Sequence, residues 1–376
     1  MTNILPFSRN VQECEIGVET KILAPTTENI ALAGQLLRYG RLVALHTETV
    51  YGLAANAFDA AAVSEIFAVK GRPQDNPLIV HIADVDDVHR LTRWFPETAR
   101  KLAGAFWPGP LTMVLPKNKA VPYAVTCGLD TVALRMPGSP VMLAAIRAAG
   151  TPLAAPSANR SGRPSPTRAA HVMDDLGGKI PLIIDGGSCE IGVESTVISI
   201  IASRTDGAVP AKIKILRPGA VTADEIAAAT GLSVGSDIEI DPAVLSPLPE
   251  DAAPPSPGMK HRHYAPRAEV ILVEGDFDGF ADVVSRVVGD AGPYKLWAMC
   301  FAGEGDKLSV PYIEYGGEND HLGQCGAIFD ALRRLDAMGA ERVYVRAPSR
   351  DGIGLAAYNR LLRAAGFRVV NLHKET

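Results

Sequence analysis

Lys70-Gly71-Arg72-Pro73-Gln74-Asp75-Asn76-Pro77-Leu78-Ile79-Val80-His81 and Ala155-Pro156-Ser157-Ala158-Asn159-Arg160-Ser161-Gly162-Arg163-Pro164-Ser165-Pro166-Thr167 decide the reading of this chain. Each sets cations, hydroxyls and loop-forming Gly or Pro beside an apolar, strand-like run. A rigid strand aims such a loop, and groups that hold phosphate collect there. Around these two stretches the first part of the chain alternates between helix and strand patterns. Apolar spacing predicts helices over 30–39, 60–69, 96–106, 141–149 and 223–229. Short apolar runs predict strands over 42–45, 78–82, 111–115, 132–136, 152–155, 182–185, 196–200 and 213–216. Several strands follow one another with no helix between them, so an α/β domain with a mixed sheet is expected.

The composition changes near 241. Residues 241–266 are proline-rich and read as an extended linker. Its end, Ser256-Pro257-Gly258-Met259-Lys260-His261-Arg262-His263-Tyr264-Ala265-Pro266, carries more functional side chains than a spacer needs. Strands over 270–273, 296–300, 312–315, 343–345 and 369–372 then alternate with helices over 277–288, 325–338 and 355–365, the pattern of a small doubly wound sheet. The expected division is 1–240 (core about 27–220), a linker or lid over 241–267, and a second α/β domain over 268–376.

The bulk numbers agree with a globular chain. Of 376 residues, 47% are hydrophobic and 21% charged, and the formal net charge of -5 excludes a wholly basic nucleic-acid coat. Cys14, Cys127, Cys189, Cys300 and Cys325 are scattered, with no C-x-x-C pair, which argues against a disulfide framework or a thiolate zinc site. Residues 1–6 lack a basic start before an apolar run, and no uninterrupted apolar segment approaches bilayer-spanning length. A cytoplasmic enzyme is the expectation.

Several motifs admit two readings. Lys70 and Arg72 can clamp a polyphosphate, or can be ordinary cations at a helix C-terminus. The hydroxyls and guanidiniums of 157–168 can hold an anion, or form a surface loop capped by Thr167. Arg135 shares a strand face with Ala133 and Thr131, placing it to bind a carboxylate bidentately or to mark a sheet edge. Gly352-Ile353-Gly354-Leu355-Ala356-Ala357 has the relaxed dinucleotide spacing, but the chain ends about twenty residues later, leaving no following strand to present a ribose-binding carboxylate. A tight turn into a helix is the better reading, with Asn359 and Arg360 on that helix's surface. No G-x-x-x-x-G-K-[ST] occurs, no nucleophile elbow surrounds Ser157, and His261 and His263 have no acidic or thiolate neighbours suited to a metal.

Taken in order, Thr47-Glu48-Thr49-Val50-Tyr51-Gly52-Leu53, the 70–81 stretch, Phe106-Trp107-Pro108-Gly109-Pro110-Leu111-Thr112-Met113-Val114-Leu115, 131–137, 154–167, Gly192-Val193-Glu194-Ser195-Thr196-Val197 and 215–219 resemble the YrdC/Sua5 family of L-threonylcarbamoyladenylate synthases. The 256–266 string is similar to the longer, Sua5-type members. One departure is His46, where the family commonly has proline. The resemblance implies a YrdC-like twisted mixed-sheet domain and a smaller Rossmann-like C-terminal domain. It implies a reaction of L-threonine, bicarbonate or CO2, and ATP that gives L-threonylcarbamoyl-AMP and pyrophosphate, with Mg²⁺ accompanying the ATP and no ligands identified for it. The product would feed the machinery that threonylcarbamoylates tRNA adenosine 37, with tRNA contact a further possibility. Carried onto this sequence, ATP contacts fall at Lys70, Arg72, Asn76, Thr131, Ser157, Asn159, Ser165, Arg217 and Tyr264, with Lys70 and Arg72 as the catalytic pair. Threonine contacts fall at Thr49, His81, Arg135, Ala155 (backbone) and Ser195. Two alternatives are an RNA-binding module without turnover and a carbamoyl-transfer enzyme with another acceptor. Nothing like an acylphosphatase or zinc finger occurs, which argues against the hydrogenase-maturation form of the latter.

Overall fold

A computed structural model describes residues 18–201, 211–249, 263–290 and 295–372. The first unit runs β1 (Lys21–Leu23), α1 (Thr27–Arg38), β2 (Val43–Leu45), β3 (Gly52–Asn56), α2 (Ala60–Lys70) and β4 (Ile79–His81). It continues through α3 (Val88–Leu91), α4 (Glu97–Phe106), β5 (Leu111–Pro116), α5 (Tyr123–Thr126), β6 (Thr131–Arg135) and α6 (Pro140–Ala149). Then come β7 (Leu153–Ala154), α7 (Ala169–Leu176), β8 (Leu182–Ile184), β9 (Thr196–Ile201), β10 (Lys212–Arg217), α8 (Ala223–Thr230) and β11 (Ile238–Ile240).

Local chemistry sets the ends of these helices. The Asp59 carboxylate caps α2 at its start, and Gly71 closes it in the left-handed region. Ser139 caps α6, Pro140 opens its first turn and Gly150 ends it. Thr222 and Glu225 form a reciprocal capping box on α8.

The eleven strands form one sheet in the order β1-β8-β2-β3-β7-β4-β6-β5-β9-β10-β11. Parallel and antiparallel neighbours are mixed, as in β4 with β6 (parallel) and β6 with β5 (antiparallel). Strands β1, β3 and β11 were not expected from the sequence. β1 lacks a run long enough to stand out, and β3 begins at the end of the motif 47–53 and runs on to Asn56. One face of the sheet packs on the main core, centred on Leu53, Ile66, Val80 and Leu134. Part of the other face carries a small apolar patch, Ile79, Val114, Ala133, Val197 and Leu216, closed by Ala243 and Leu248. The linker is therefore structured at its start, with a single turn at Pro242–Val244 docked on that patch. Residues 250–262 of the expected linker or lid lie outside the described residues. Its end, from His263, is described.

The second unit holds β12 (Glu269–Glu274), α9 (Phe277–Asp290), β13 (Leu296–Cys300), β14 (Tyr312–Glu314), α10 (His321–Ala337), β15 (Arg342–Arg346), α11 (Gly354–Ala364) and β16 (Val369–Asn371). All five strands are parallel, in the order β14-β13-β15-β12-β16. Gly352 (φ +50°) makes the expected tight turn before α11. A strand does follow, and it ends in Asn371 rather than a carboxylate. Asn359 and Arg360 are not surface residues: they are 2% and 0% exposed, because that face of α11 lies against the first unit. Cys127, Cys189, Cys300 and Cys325 are free thiols.

Candidate active site

The family motifs converge because main-chain bonds zip them together. Leu53 N donates to Pro156 O (2.8 Å) and Ala158 N to Tyr51 O (2.8 Å), joining 47–53 to 155–158. β4 and β6 run parallel with His81 opposite Arg135, so both side chains arrive at one end of the sheet. Thr47, Thr49, Arg72, His81, Arg135, Ala155, Ser157, Glu194, Ser195, Arg217, His263 and Tyr264 all line the resulting cleft.

Arg135 is buried and held on three sides. Its Nε donates to Gly109 O (3.1 Å), one terminal nitrogen to Thr49 Oγ1 (2.9 Å) and the other to Glu48 Oε1 (2.6 Å). Glu48 Oε1 also accepts from Gly138 N (2.8 Å), while its other oxygen is buried without a partner. Burial raises the Glu48 pKa, but Arg135 and these bonds outweigh it and hold the carboxyl below its ordinary value. A guanidinium already gripping one carboxylate at the cleft wall is built for carboxylates. Burial and Arg135 push His81 down to about 3, so it is a neutral imidazole, and its Nδ1 has no partner.

The side of the cleft lined by Arg72 is organised in two layers. Arg72 lines the cleft, with Nε on Asn76 O (3.1 Å) and a terminal nitrogen on Pro77 O (3.0 Å). Lys70 stands behind it, 4% exposed, donating to Ser157 O and Asn159 O, both at 2.5 Å. Burial, then Arg72, drive the Lys70 ammonium well below the ordinary lysine range. Ser157 Oγ donates to Asn159 Oδ1 (2.6 Å), and Asn159 Nδ2 donates to Arg160 O and Arg163 O. Lys70 and Asn159 thus shape the loop that presents Ser157. Asn76 Nδ2 lies 3.4 Å from His263 Nε2, joining the 70–81 stretch to the linker's end.

The third wall is built from 192–197 and 215–219. Ser195 Oγ shares a hydrogen bond with Thr112 Oγ1 (2.7 Å) and accepts one from Arg217 (3.2 Å), whose Nε donates to Ser195 O (3.1 Å). Gly219 must be glycine: a Cβ there would fall 2.3 Å from Thr196 N. Ser165 lies behind this wall, donating to Glu194 Oε1 (2.5 Å). Tyr264 sits at φ +63° and packs its ring 5.2 Å from Phe329. Ala265 N donates to Gly162 O (2.9 Å), so the linker's end is strapped to the 155–167 loop.

Not every expected contact reaches the cleft. Lys70, Asn76, Asn159 and Ser165 are buried just behind its surface. Thr131 opens β6 at the end away from Arg135, about 13 Å along the strand at 3.3 Å per residue. His46, the departure from the family pattern, is accommodated: it is buried, bonds Ser139 Oγ at 3.2 Å and meets Tyr51 edge-on. Glu48 and Glu194 were overlooked as site residues, although each is the acid inside a quoted motif. No local signal marked Arg360, whose Nε donates to Glu194 Oε2 (2.8 Å) from 166 residues away.

A family profile described as telomere recombination, covering Sua5, YciO and YrdC, matches residues 35–219. A second, described as the threonylcarbamoyl-AMP synthase C-terminal domain, matches residues 221–366. The threonylcarbamoyl-AMP synthase of Pyrococcus abyssi is 44% identical over 91% of this chain and 96% of its own length. This chain belongs to the Sua5-type threonylcarbamoyl-AMP synthase family. The Bacillus subtilis member is 42% identical over 93% of this chain and 97% of its own. The crystal structure of Pyrococcus abyssi Sua5 complexed with L-threonine matches at TM-score 0.83 and 40% identity, over 95% of this chain and 99% of that one. The two-domain Sua5 architecture thus extends over both sheets described here.

Proposed function

We propose that this cleft joins L-threonine, bicarbonate or CO2, and ATP into L-threonylcarbamoyl-AMP and pyrophosphate, for threonylcarbamoylation of tRNA adenosine 37. The observation that carries this is the convergence of Arg72, Arg135 and Arg217 on one cleft with the hydroxyls of Thr49, Ser157 and Ser195. Three cations suit a triphosphate and a carboxylate held side by side.

Arg135 receives the threonine carboxylate in place of its Glu48 contact, with Thr49, His81, Ser195 and the Ala155 backbone around the rest of the amino acid. The amine adds to CO2 and loses a proton, giving a carbamate. A carbamate oxygen then attacks the α-phosphorus as the bond to the β-phosphate oxygen breaks, and pyrophosphate departs. Positioning and charge stabilisation dominate such a transfer. Arg72 and Arg217 face the phosphates. Lys70, Asn76, Asn159 and Ser165 hold the loops that carry these contacts, and Thr131 lies farther along the nucleotide side. His263 and Tyr264 cover the site from the linker, excluding water from a labile mixed anhydride.

Among the described residues, no three His, Cys, Asp or Glu side chains gather to cage a cation. A Mg²⁺ accompanying the ATP would supply charge neutralisation on the phosphates as pyrophosphate leaves. No described helix is long and apolar enough to cross a membrane. The product passes to the tRNA threonylcarbamoyl-transfer machinery. Purified chain with ATP, bicarbonate and threonine should release pyrophosphate and yield the adenylate adduct by mass spectrometry. Pyrophosphate release indifferent to threonine, or no adduct, would refute the reading.

A further inference from the structure

We propose that the C-terminal domain completes the active site through Arg360, a positioning residue that sets the Ser195–Arg217 pair. Arg360 is wholly buried on α11. Its Nε donates to Glu194 Oε2 (2.8 Å), one terminal nitrogen to Pro218 O (2.8 Å) and the other to Glu194 O (3.1 Å). Glu194 and Pro218 are the immediate neighbours of Ser195 and Arg217. One guanidinium from the second domain therefore fixes the entry to β9 and the exit of β10 relative to each other. That spacing sets the bond from Arg217 to Ser195 Oγ. The same grip reaches Ser165, which donates to the other oxygen of Glu194. The Tyr264 ring lies 5.7 Å from the Arg360 guanidinium, so the linker's end rests on the same group.

The alternative is that Arg360 only docks one domain on the other. Docking has other means. Arg363 donates to Ala243 O (2.7 Å) and Asn359 to Val244 O (2.7 Å), both on the linker's first turn. Arg333 reaches Pro164 O (2.6 Å) and Asp175 (2.7 Å). Gly192 packs so closely on α10 that a Cβ would fall 2.5 Å from Gly326 Cα. With the domains held at these points, the Arg360 contacts do something more local. Without Arg360, Glu194 would keep Arg217 as its nearby buried cation, and the pair's attraction would draw Arg217 off Ser195.

This inference rests on the synthase reading, which the wild-type rate tests separately: a wild-type chain that releases no pyrophosphate ends that reading, not this one alone. The full-length chain is compared as wild type, Arg360→Met, Arg360→Lys, Arg363→Met and the double variant Arg360→Met/Glu194→Gln. Thermal unfolding midpoints and kcat/KM are measured for both substrates. Arg360→Met should lower kcat/KM for ATP and for threonine together by at least about tenfold, because the pair spans both sides of the site. Arg363→Met should stay within about threefold, since its hydrogen bond goes to the linker's first turn rather than to a cleft wall. The double variant should regain the unfolding midpoint by removing the unpaired carboxylate, yet not the rate. Should Arg360→Met fail to fold, Arg360→Lys carries the test: it keeps the charge but cannot grip Glu194 and Pro218 at once, so it should fold and remain slow. Full rate in a folded Arg360 variant, equal losses at Arg363, or recovery of rate in the double variant would each overturn the assignment.

Discussion

The two sheets contribute to one site by different means. In the eleven-stranded sheet, chemistry sits at strand ends and in the tight connections beside them. Ser157 follows β7, His81 ends β4, Arg135 ends β6 and Ser195 precedes β9. In the five-stranded parallel unit, the group that grips a cleft wall comes from an outer helix, Arg360 on α11, while Arg333 on α10 and Asn359 and Arg363 on α11 dock on the first unit away from the cleft. A mixed sheet with short hairpins brings consecutive residues to one rim, so its site residues fall in compact strings. A parallel sheet wrapped in helices offers single side chains at helical spacing, which look like any amphipathic surface until something packs on them. The first region supplies the contacts, and the second sets their spacing.

The largest effect should come from breaking the first region at Arg135. Arg135→Ala removes a charge-assisted carboxylate contact and strands Glu48, so kcat/KM for threonine should fall roughly 100-fold, as expected for about 3 kcal/mol. Arg135→Lys should recover little, because a point charge cannot copy the fork. A kcat/KM for threonine near that of wild type in folded Arg135→Ala would move the amino-acid site elsewhere. The layered phosphate side predicts smaller losses. Arg72→Ala and Lys70→Ala should each lose about tenfold in pyrophosphate formation. Only Lys70→Ala should also lower the unfolding midpoint markedly, since it leaves Ser157 O and Asn159 O without their buried donor. Equal unfolding midpoints for the two variants would erase the distinction between a residue at the surface of the cleft and one behind it.

Much of the first region was legible because its residues are contiguous. The 70–81, 131–137, 154–167 and 192–197 strings each folded as a turn against a strand and came to one cleft. What escaped is instructive in physical terms. Glu48 and Glu194 were quoted within motifs but given no role, yet each is the counter-charge of a buried arginine. Lys70 read as a clamp or an exposed helix-end cation, but its ammonium is buried on Ser157 O and Asn159 O, in a loop nearly ninety residues away in sequence. β1 and β11 are three-residue edge strands, defined by pairing to β8 and β10 rather than by their own pattern. Arg360 carries no sequence signal, because its partner is 166 residues away in another domain.

The smallest expected effect concerns acid. His81 is held to about 3 against an ordinary 6.5, so the folded state refuses a proton that the unfolded chain accepts. Its contribution to stability is present above pH 6.5 and is lost as pH falls from there toward 3. Glu48 and Glu194, both held below 4.5, add stability that is present above pH 4.5 and is lost as pH falls below it. Between about pH 7.5 and 5 the urea midpoint should therefore decline mainly through His81, and His81→Gln should flatten that decline. An unchanged slope in His81→Gln would mean that the imidazole takes up its proton without penalty.

The central claim is that the cleft recognises threonine and activates its carbamate with ATP. It is tested most directly by following pyrophosphate from wild-type chain with ATP and bicarbonate while the amino acid is varied among threonine, serine, valine and alanine. A site whose hydroxyls bond the β-hydroxyl should turn over threonine at least about tenfold faster, by kcat/KM, than valine, which matches its shape but leaves those groups unpaired. Equal kcat/KM for threonine and valine would contradict the account.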